Sequence, residues 1–127
     1  MIVVDASAVV LGLLNDGEAR AKLREDAVVC PHLVDSEVAH ALRAQVLRGE
    51  VGAAEATHVI DTWRHLGIER VGVAGLLGRI WELRGNVSAH DATYVAVAEA
   101  LEVPLVTADG RLARAPGPRC TVMVVRG

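Results

Sequence analysis

Short runs of apolar, mostly β-branched residues alternate with stretches of helical periodicity along the whole chain, and this alternation limits the possible folds more than any other feature. Strands that are separated by helices pair in parallel, because a parallel pair needs a long crossover connection. We therefore predict an α/β fold in which a central parallel sheet is flanked by helices on both faces. The predicted strands lie at 2–4, 27–30, 69–73, 104–107 and 120–125.

The predicted helices have recognisable ends. Asp35 or Ser36 can cap a long helix that runs to Arg48 and stops at Gly49, which places Glu37 in the first turn. Pro31 is expected to end the second strand. The remaining helices are predicted at 6–14, 19–25, 53–66, 76–84 and 88–101.

Length and composition restrict the class of protein. A chain of 127 residues is enough for one domain with a real core, so we predict a single domain over 1–127. A net charge of −3 argues against a broad basic surface for duplex nucleic acid. The hydrophobic fraction of 52% is high and favours a homodimer. No uncharged run is long enough to span a bilayer, and we expect a cytoplasmic protein. The two cysteines, Cys30 and Cys120, are expected to be buried thiols.

Four acidic residues lie where a parallel sheet would gather them at one edge. Asp5 and Asp109 follow predicted strands, while Glu37 and Asp91 lie near the starts of predicted helices. Each has an ordinary structural explanation. Asp5 can cap the next helix, Asp109 can form a turn with Gly110, Glu37 can complement a helix dipole, and Asp91 fits a capping box.

Their joint placement favours a shared chemical role. Clustered carboxylates repel one another unless a cation neutralises them. A site made only of carboxylates suits Mg²⁺ or Mn²⁺, whereas zinc would draw on histidine or cysteine. Such a site can orient a phosphodiester, neutralise its developing charge and activate a water molecule. The sequence therefore indicates a metal-dependent site at this edge.

Four segments carry a resemblance to a known family. These are VVDASAVV around Asp5, SEVAHALR around Glu37, SAHDATYVAVAEALEVPLVTAD from Ser88 to Asp109, and the GRL that follows. In this order they resemble the PIN-domain ribonucleases of the VapC toxin type. The resemblance covers essentially the whole chain, and the long C-terminal segment is its most specific part.

The resemblance implies a compact α/β/α domain, metal-dependent cleavage of RNA as an endoribonuclease toxin, and inhibition by a cognate antitoxin. It assigns Asp5, Glu37, Asp91 and Asp109 to the catalytic, metal-binding set, with Mg²⁺ as the ion and Mn²⁺ as an alternative. Ser7 and Thr107 would fix carboxylates or waters, since they stand next to two of the acids. Gly110, Arg111 and Leu112 follow the last aspartate where some members carry a further acid or amide, which argues against a second tightly held ion.

Two questions stay open at the level of sequence. Arg111 and Arg114 follow Asp109 closely, so each can contact RNA phosphate at the rim of the site or can form a solvated surface pair. The alternative to an enzyme is a non-catalytic PIN-like module that binds RNA or a protein. Substitution of one acid separates these classes, because only an enzyme loses cleavage while keeping its fold.

Overall fold

A computed structural model describes residues 1–127 and contains one sheet of five parallel strands. The strands are ordered β3-β2-β1-β4-β5 across the sheet. Their bounds are β1 (Ile2–Val4), β2 (Val28–Pro31), β3 (Glu69–Val71), β4 (Leu105–Thr107) and β5 (Val122–Val124). The α/β class with a parallel sheet is thereby confirmed.

Seven α-helices connect these strands. They are α1 (Ala6–Leu14), α2 (Glu18–Glu25), α3 (Leu33–Leu47), α4 (Ala53–Arg64), α5 (Leu77–Glu82), α6 (Ala89–Leu101) and α7 (Gly110–Arg114). The chain moves from β1 to β3 in one direction across the sheet and from β4 to β5 in the other. Because such crossovers are right-handed, α1 to α4 cover one face, and α5 to α7 cover the opposite face.

The core is aliphatic and is centred on the middle strands. Val3 and Val106, on the neighbouring strands β1 and β4, are completely buried. Helix α6 buries seven consecutive residues, from Ala92 to Ala98, because it packs against three strands and against α5. A helix that is apolar on all sides can only be stable in such an enclosed position. The high hydrophobic fraction of the sequence is thus largely accounted for by a sheet covered on both faces.

The start of α3 differs from the sequence prediction. The helix begins at Leu33, after His32 as its N-cap, and not at a cap formed by Asp35 or Ser36. The carboxylate of Asp35 instead accepts hydrogen bonds from Arg70 and from the Trp63 indole. It is therefore not available to cap the helix. Glu37 consequently lies in the second turn of α3, one turn later than predicted.

Two other features of the fold were predicted wrongly from the sequence. Pro31 is the last residue of β2 and pairs with Val71, so it does not stop the strand before it. Proline is tolerated here because β1 pairs with β2 only through Val28 and Val29, so no neighbour on that side needs a donor at position 31. The short helix α7 was also missed, since the Asp-Gly pair that starts it resembles a turn.

The region before α6 is less regular than predicted. A helix was expected over 76–84, but the α-helical part spans only Leu77–Glu82 and has a 3₁₀ turn at each end. No helix in the structure is long and apolar enough to span a membrane. Both cysteines are free thiols, with Cys30 buried as predicted and Cys120 only half-buried.

Candidate active site at the carboxyl edge of the sheet

The site lies where two neighbouring strands end and the chain turns away in opposite directions. From β1 the chain crosses towards β2, and from β4 it crosses towards β5. This divergence leaves a crevice beyond the carboxyl ends of β1 and β4, which is the usual ligand position in open α/β sheets. Asp5 follows β1 and Asp109 follows β4 at this point. The sheet therefore brings two of the four predicted acids to one place.

Asp5 is held in position by three donors. Its Oδ1 accepts hydrogen bonds from the Ser7 hydroxyl at 2.6 Å and from the Ala8 backbone N–H at 3.0 Å. Its Oδ2 accepts one from the Thr107 hydroxyl at 2.5 Å. Asp5 is also the N-cap of α1, so the capping role that the sequence suggested for it is present as well. Only 5% of the residue is exposed, and this burial raises the pKa of its carboxyl despite the hydrogen bonds.

The two hydroxyls also connect Asp5 to the loop that carries Asp109. The backbone N–H of Ala108 donates to Ser7 Oγ, and that of Asp109 donates to Thr107 Oγ1, each at 3.0 Å. Thr107 is completely buried, so its bond to Asp5 is shielded from water. Ser7 and Thr107 thus make the contacts with a carboxylate that the sequence predicted for them.

The carboxylate of Asp91 is the least restrained of the four. Ser88 caps α6 by accepting a hydrogen bond from the Asp91 backbone N–H at 3.1 Å. The reciprocal half of a capping box, a bond from the Ser88 backbone N–H to the Asp91 carboxylate, is not formed, although the Ser88 hydroxyl also interacts with that carboxylate. Partial burial, followed by the charge of Asp109, raises the pKa of the Asp91 carboxyl. The two aspartates are therefore close enough to repel each other.

Asp109 is bonded to an arginine that follows it. It caps α7 through a hydrogen bond from the Arg111 backbone N–H to Oδ1 at 2.9 Å. The Arg111 guanidinium binds the same carboxylate, with Nε 3.2 Å from Oδ1 and an Nη 3.2 Å from Oδ2. These bonds hold the pKa of Asp109 below its usual range. The positive charge of Arg111 also acts on Asp91, so Arg111 is the local counter-cation of both acids.

Glu37 is bound by a residue that the sequence did not single out. The buried hydroxyl of Tyr94 donates a hydrogen bond to Glu37 Oε1 at 2.6 Å. The other oxygen, Oε2, lies 3.6 Å from Nδ1 of His90. Tyr94 follows Asp91 by three residues on α6, which places the two on the same side of the helix. This three-residue spacing is the sequence feature from which a role for Tyr94 near the acids could have been predicted.

Arg114 does not contact any of the four acids. Its guanidinium folds back over the first turn of α7, where a side chain at Gly110 would come within 3.1 Å of an Nη. It forms no ion pair in the structure. Of the two arginines predicted at the rim, only Arg111 is therefore bonded to an acid.

The donors around this edge fit a hard divalent cation better than a soft one. All four acids supply oxygen, and the mutual repulsion of Asp91 and Asp109 is the condition that a cation relieves. As arranged here, however, no three acidic, histidine or cysteine side chains come together as a complete set of metal ligands. Arg111 and Tyr94 occupy oxygens of Asp109 and Glu37 instead. A metal ion that binds Asp109 would therefore have to displace the Arg111 guanidinium.

Comparison with known proteins identifies the class to which this fold and site belong. The sequence model of the PIN domain matches residues 2–118. The structure also resembles the crystal structure of PAE2754 from Pyrobaculum aerophilum, with a TM-score of 0.71, 28% identity, and coverage of 97% of this chain and 83% of that one. The chain belongs to the PIN-domain family.

Its relatives within the family are more specific. Ribonuclease VapC9 of Mycobacterium tuberculosis is 51% identical over 125 residues, which is 98% of each chain. This similarity places the chain in the VapC group of PIN-domain proteins. The crystal structure of VapBC2 from Rickettsia felis, bound to a DNA fragment from their promoter, shows the same fold with a TM-score of 0.70 at 14% identity, covering 98% of this chain and 99% of that one.

Proposed function

We propose that this protein is an endoribonuclease toxin that hydrolyses RNA phosphodiester bonds in the cytoplasm at Asp5, Glu37, Asp91 and Asp109. The observation that carries the proposal is that Asp5 and Asp109 follow the adjacent strands β1 and β4 and are joined through the Ser7 and Thr107 hydroxyls. Four carboxylates repel the phosphates of RNA, so they can serve such a substrate only together with a cation. The 51% identity to Ribonuclease VapC9 supports RNA as the substrate.

The cofactor that fits these donors is Mg²⁺, with Mn²⁺ as an alternative. When bound, such an ion neutralises charge on the phosphate and lowers the pKa of a water molecule. Asp5, Asp91, Asp109 and Glu37 would hold it. The donor oxygens come from one edge of the sheet, and no further acid follows Asp109 in the sequence. Both features favour one tightly held ion.

The acidic residues have different roles in the proposed hydrolysis. Asp5 is fixed by the Ser7 and Thr107 hydroxyls, so it gives the site its geometry without rearrangement. Glu37 Oε2 is not engaged by Tyr94 and is free to bind the ion. We expect direct attack by water, with no covalent intermediate. Detection of a phosphorylated protein during turnover would refute this.

The proposal is tested by incubating total cellular RNA with the purified protein, freed of any bound antitoxin, in Mg²⁺ or Mn²⁺ and in EDTA. Asp91→Asn is the matched variant, because asparagine keeps the size of the side chain and leaves in place the Ser88 cap, which accepts from the backbone N–H of residue 91. We expect cleavage to require the metal and to fall at least about 100-fold in the variant, whose fold is checked by circular dichroism. A folded wild-type protein that binds RNA without cutting it under any condition would support the non-catalytic alternative.

We further propose that the antitoxin inserts an apolar helix into a groove between α3 and α4. The groove has a volume of about 390 Å³ and is lined mainly by apolar side chains, among them Leu42, Val46 and Ile60. Leu47 at its border is 68% exposed. A groove between two helices is a common site for an amphipathic helix, whose apolar side chains fill it at intervals of three and four residues.

A further inference from the structure

A single tyrosine hydroxyl lies within the most completely buried part of the molecule. Only two residues of the buried stretch Ala92–Ala98 carry a polar side-chain atom, Thr93 and Tyr94. The Thr93 hydroxyl donates to the Ala89 carbonyl of its own helix at 2.7 Å. Tyr94 is 1% exposed, and its hydroxyl reaches out of the helix to Glu37 on α3. A buried phenol needs a partner, and this one has a carboxylate as its partner.

The bond joins helices from the two opposite layers of the fold. Glu37 and Tyr94 are 57 residues apart in sequence, and theirs is the only hydrogen bond between α3 and α6. The length of 2.6 Å is typical of a hydroxyl that donates to a charged acceptor. Packing alone does not explain why this residue is a tyrosine, because a phenylalanine ring would fill the same space. The hydroxyl is the feature that requires a further explanation.

Apart from Tyr94, Glu37 is paired only with the exposed ring of His90. It forms no other hydrogen bond through its side chain, and the neighbouring His90 is 3.6 Å away with 71% of its side chain exposed. A glutamate side chain has three rotatable bonds, so an unrestrained one would spend most of its time away from any single position. The Tyr94 hydroxyl removes this freedom while leaving Oε2 unoccupied.

We propose that Tyr94 is a positioning residue for the metal site: its hydroxyl holds Glu37 Oε1 so that Oε2 is presented to the divalent ion. This rests on the proposed function, in which Glu37 belongs to that site. Tyr94 itself touches neither metal nor RNA. It acts on Glu37 in the way that Ser7 and Thr107 act on Asp5.

The test compares Mn²⁺ affinity, measured by isothermal titration calorimetry without RNA, in the wild type and in Tyr94→Phe. We expect the dissociation constant to rise roughly tenfold in the variant, the usual scale for the loss of a group that orients a ligand. Thr93→Val is the matched control, because it removes a hydroxyl of similar burial from the same helix that bonds only within that helix. Its Mn²⁺ affinity should stay within twofold of the wild type.

A second pair of variants shows whether the effect passes through Glu37. We expect Tyr94→Phe to change Mn²⁺ affinity less than about twofold when Glu37→Gln is already present, since there is then no carboxylate to position. An equal effect of Tyr94→Phe in both backgrounds overturns the proposal, as does an unchanged affinity in the single variant. Circular dichroism and thermal unfolding establish that each variant is folded, so that a change in Mn²⁺ affinity cannot be due to misfolding.

The calorimetric result is independent of the nuclease assay. If wild-type protein binds Mn²⁺ through Glu37 but cuts no RNA, the proposed function fails while the role of Tyr94 is still decided by the variants. If Glu37→Gln leaves Mn²⁺ affinity unchanged, Glu37 is not part of the metal site and the positioning role is refuted. If RNA cleavage is present, its kcat should fall in Tyr94→Phe with little change in KM, because substrate binding does not involve this hydroxyl.

Discussion

At the scale of single residues, the arginine that binds Asp109 has the clearest consequence for metal binding. Its guanidinium contacts both oxygens of the carboxylate, although 85% of the Arg111 side chain is exposed. A divalent ion that binds Asp109 must compete with these bonds. The released guanidinium would then be available to a phosphate of the RNA, which is one of the two roles that the sequence left open for this residue.

We therefore predict that Arg111→Gln tightens Mn²⁺ binding while it weakens RNA binding. The gain should be at most a few-fold, because water screens an ion pair whose arginine is this exposed. Calorimetry with Mn²⁺ alone measures the first effect, and fluorescence anisotropy with a short RNA measures the second. Arg114→Gln is the control, since it removes the same charge from the same helix without breaking a bond to an acid. Equal gains in both variants would mean that only net charge matters.

Residue contacts of this kind could be predicted only where they are local in sequence. Asp5 and Ser7 are two positions apart, and Thr107 directly precedes the loop of Asp109, so their proximity to acids was visible. The bond between Tyr94 and Glu37 depends on how two distant helices pack, so the spacing of Asp91 and Tyr94 on α6 indicates the side of the helix but does not identify Glu37 as the partner. Arg111 is only two positions from Asp109, so its proximity to that acid was equally visible, but the sequence left open whether its guanidinium binds the carboxylate.

At the scale of secondary structure, one polar cluster fixes the start of α3 and thereby the place of Glu37. Asp35 accepts two hydrogen bonds from Arg70 on β3, at 2.7 and 2.8 Å, and a third from the buried Trp63 indole on α4 at 2.8 Å. The Arg70 guanidinium also stacks on the Trp63 ring at 5.3 Å. The Asp35 carboxylate thus joins three elements, α3, α4 and β3. From the local sequence alone, Asp35 is recognisable only as a candidate helix cap.

We predict that Asp35→Asn lowers the free energy of unfolding at pH 7 by about 1 to 2 kcal/mol. The loss combines a weakened ion pair with imperfect bonding of a buried indole N–H. Urea denaturation measures it. Glu50→Gln is the control, because it breaks a similarly close pair with Arg48, at 2.9 Å, in which both side chains are more than half exposed. That variant should leave the midpoint of urea denaturation nearly unchanged, because water screens so exposed a pair.

The same cluster predicts how stability depends on pH. Hydrogen bonds from Arg70 hold the pKa of the Asp35 carboxyl below its usual value of 3.8. A carboxyl whose pKa is lowered by folding stabilises the native state fully above the unfolded pKa, and this contribution is lost as the pH falls through the folded one. The stability difference between wild type and Asp35→Asn should therefore be constant from pH 5 to 7 and shrink below about pH 4. A difference that grows in acid would contradict the assignment.

At the scale of the whole molecule, two exposed apolar surfaces remain after the core is formed. One is the groove between α3 and α4 with Leu47 at its border. The other lies on α5, where Leu77 is 59% exposed and Trp81 is 67% exposed. These two are four positions apart and thus neighbours on one helical face. Because α3 and α5 cover opposite faces of the sheet, the two surfaces can be occupied at the same time.

We predict that the α5 surface forms a homodimer and that the groove binds the antitoxin, so that each contact can be removed without the other. Trp81→Glu should give a monomer in size-exclusion chromatography with light scattering while still binding the antitoxin, because a charge in an apolar interface must be desolvated. Leu47→Glu should abolish antitoxin binding and leave the dimer intact. Since neither residue belongs to the carboxylate site, both antitoxin-free variants should keep wild-type Mn²⁺ affinity. Loss of both contacts in one variant would instead show that antitoxin and partner protomer share the surface that carries the substituted residue, α5 for Trp81 or the groove for Leu47.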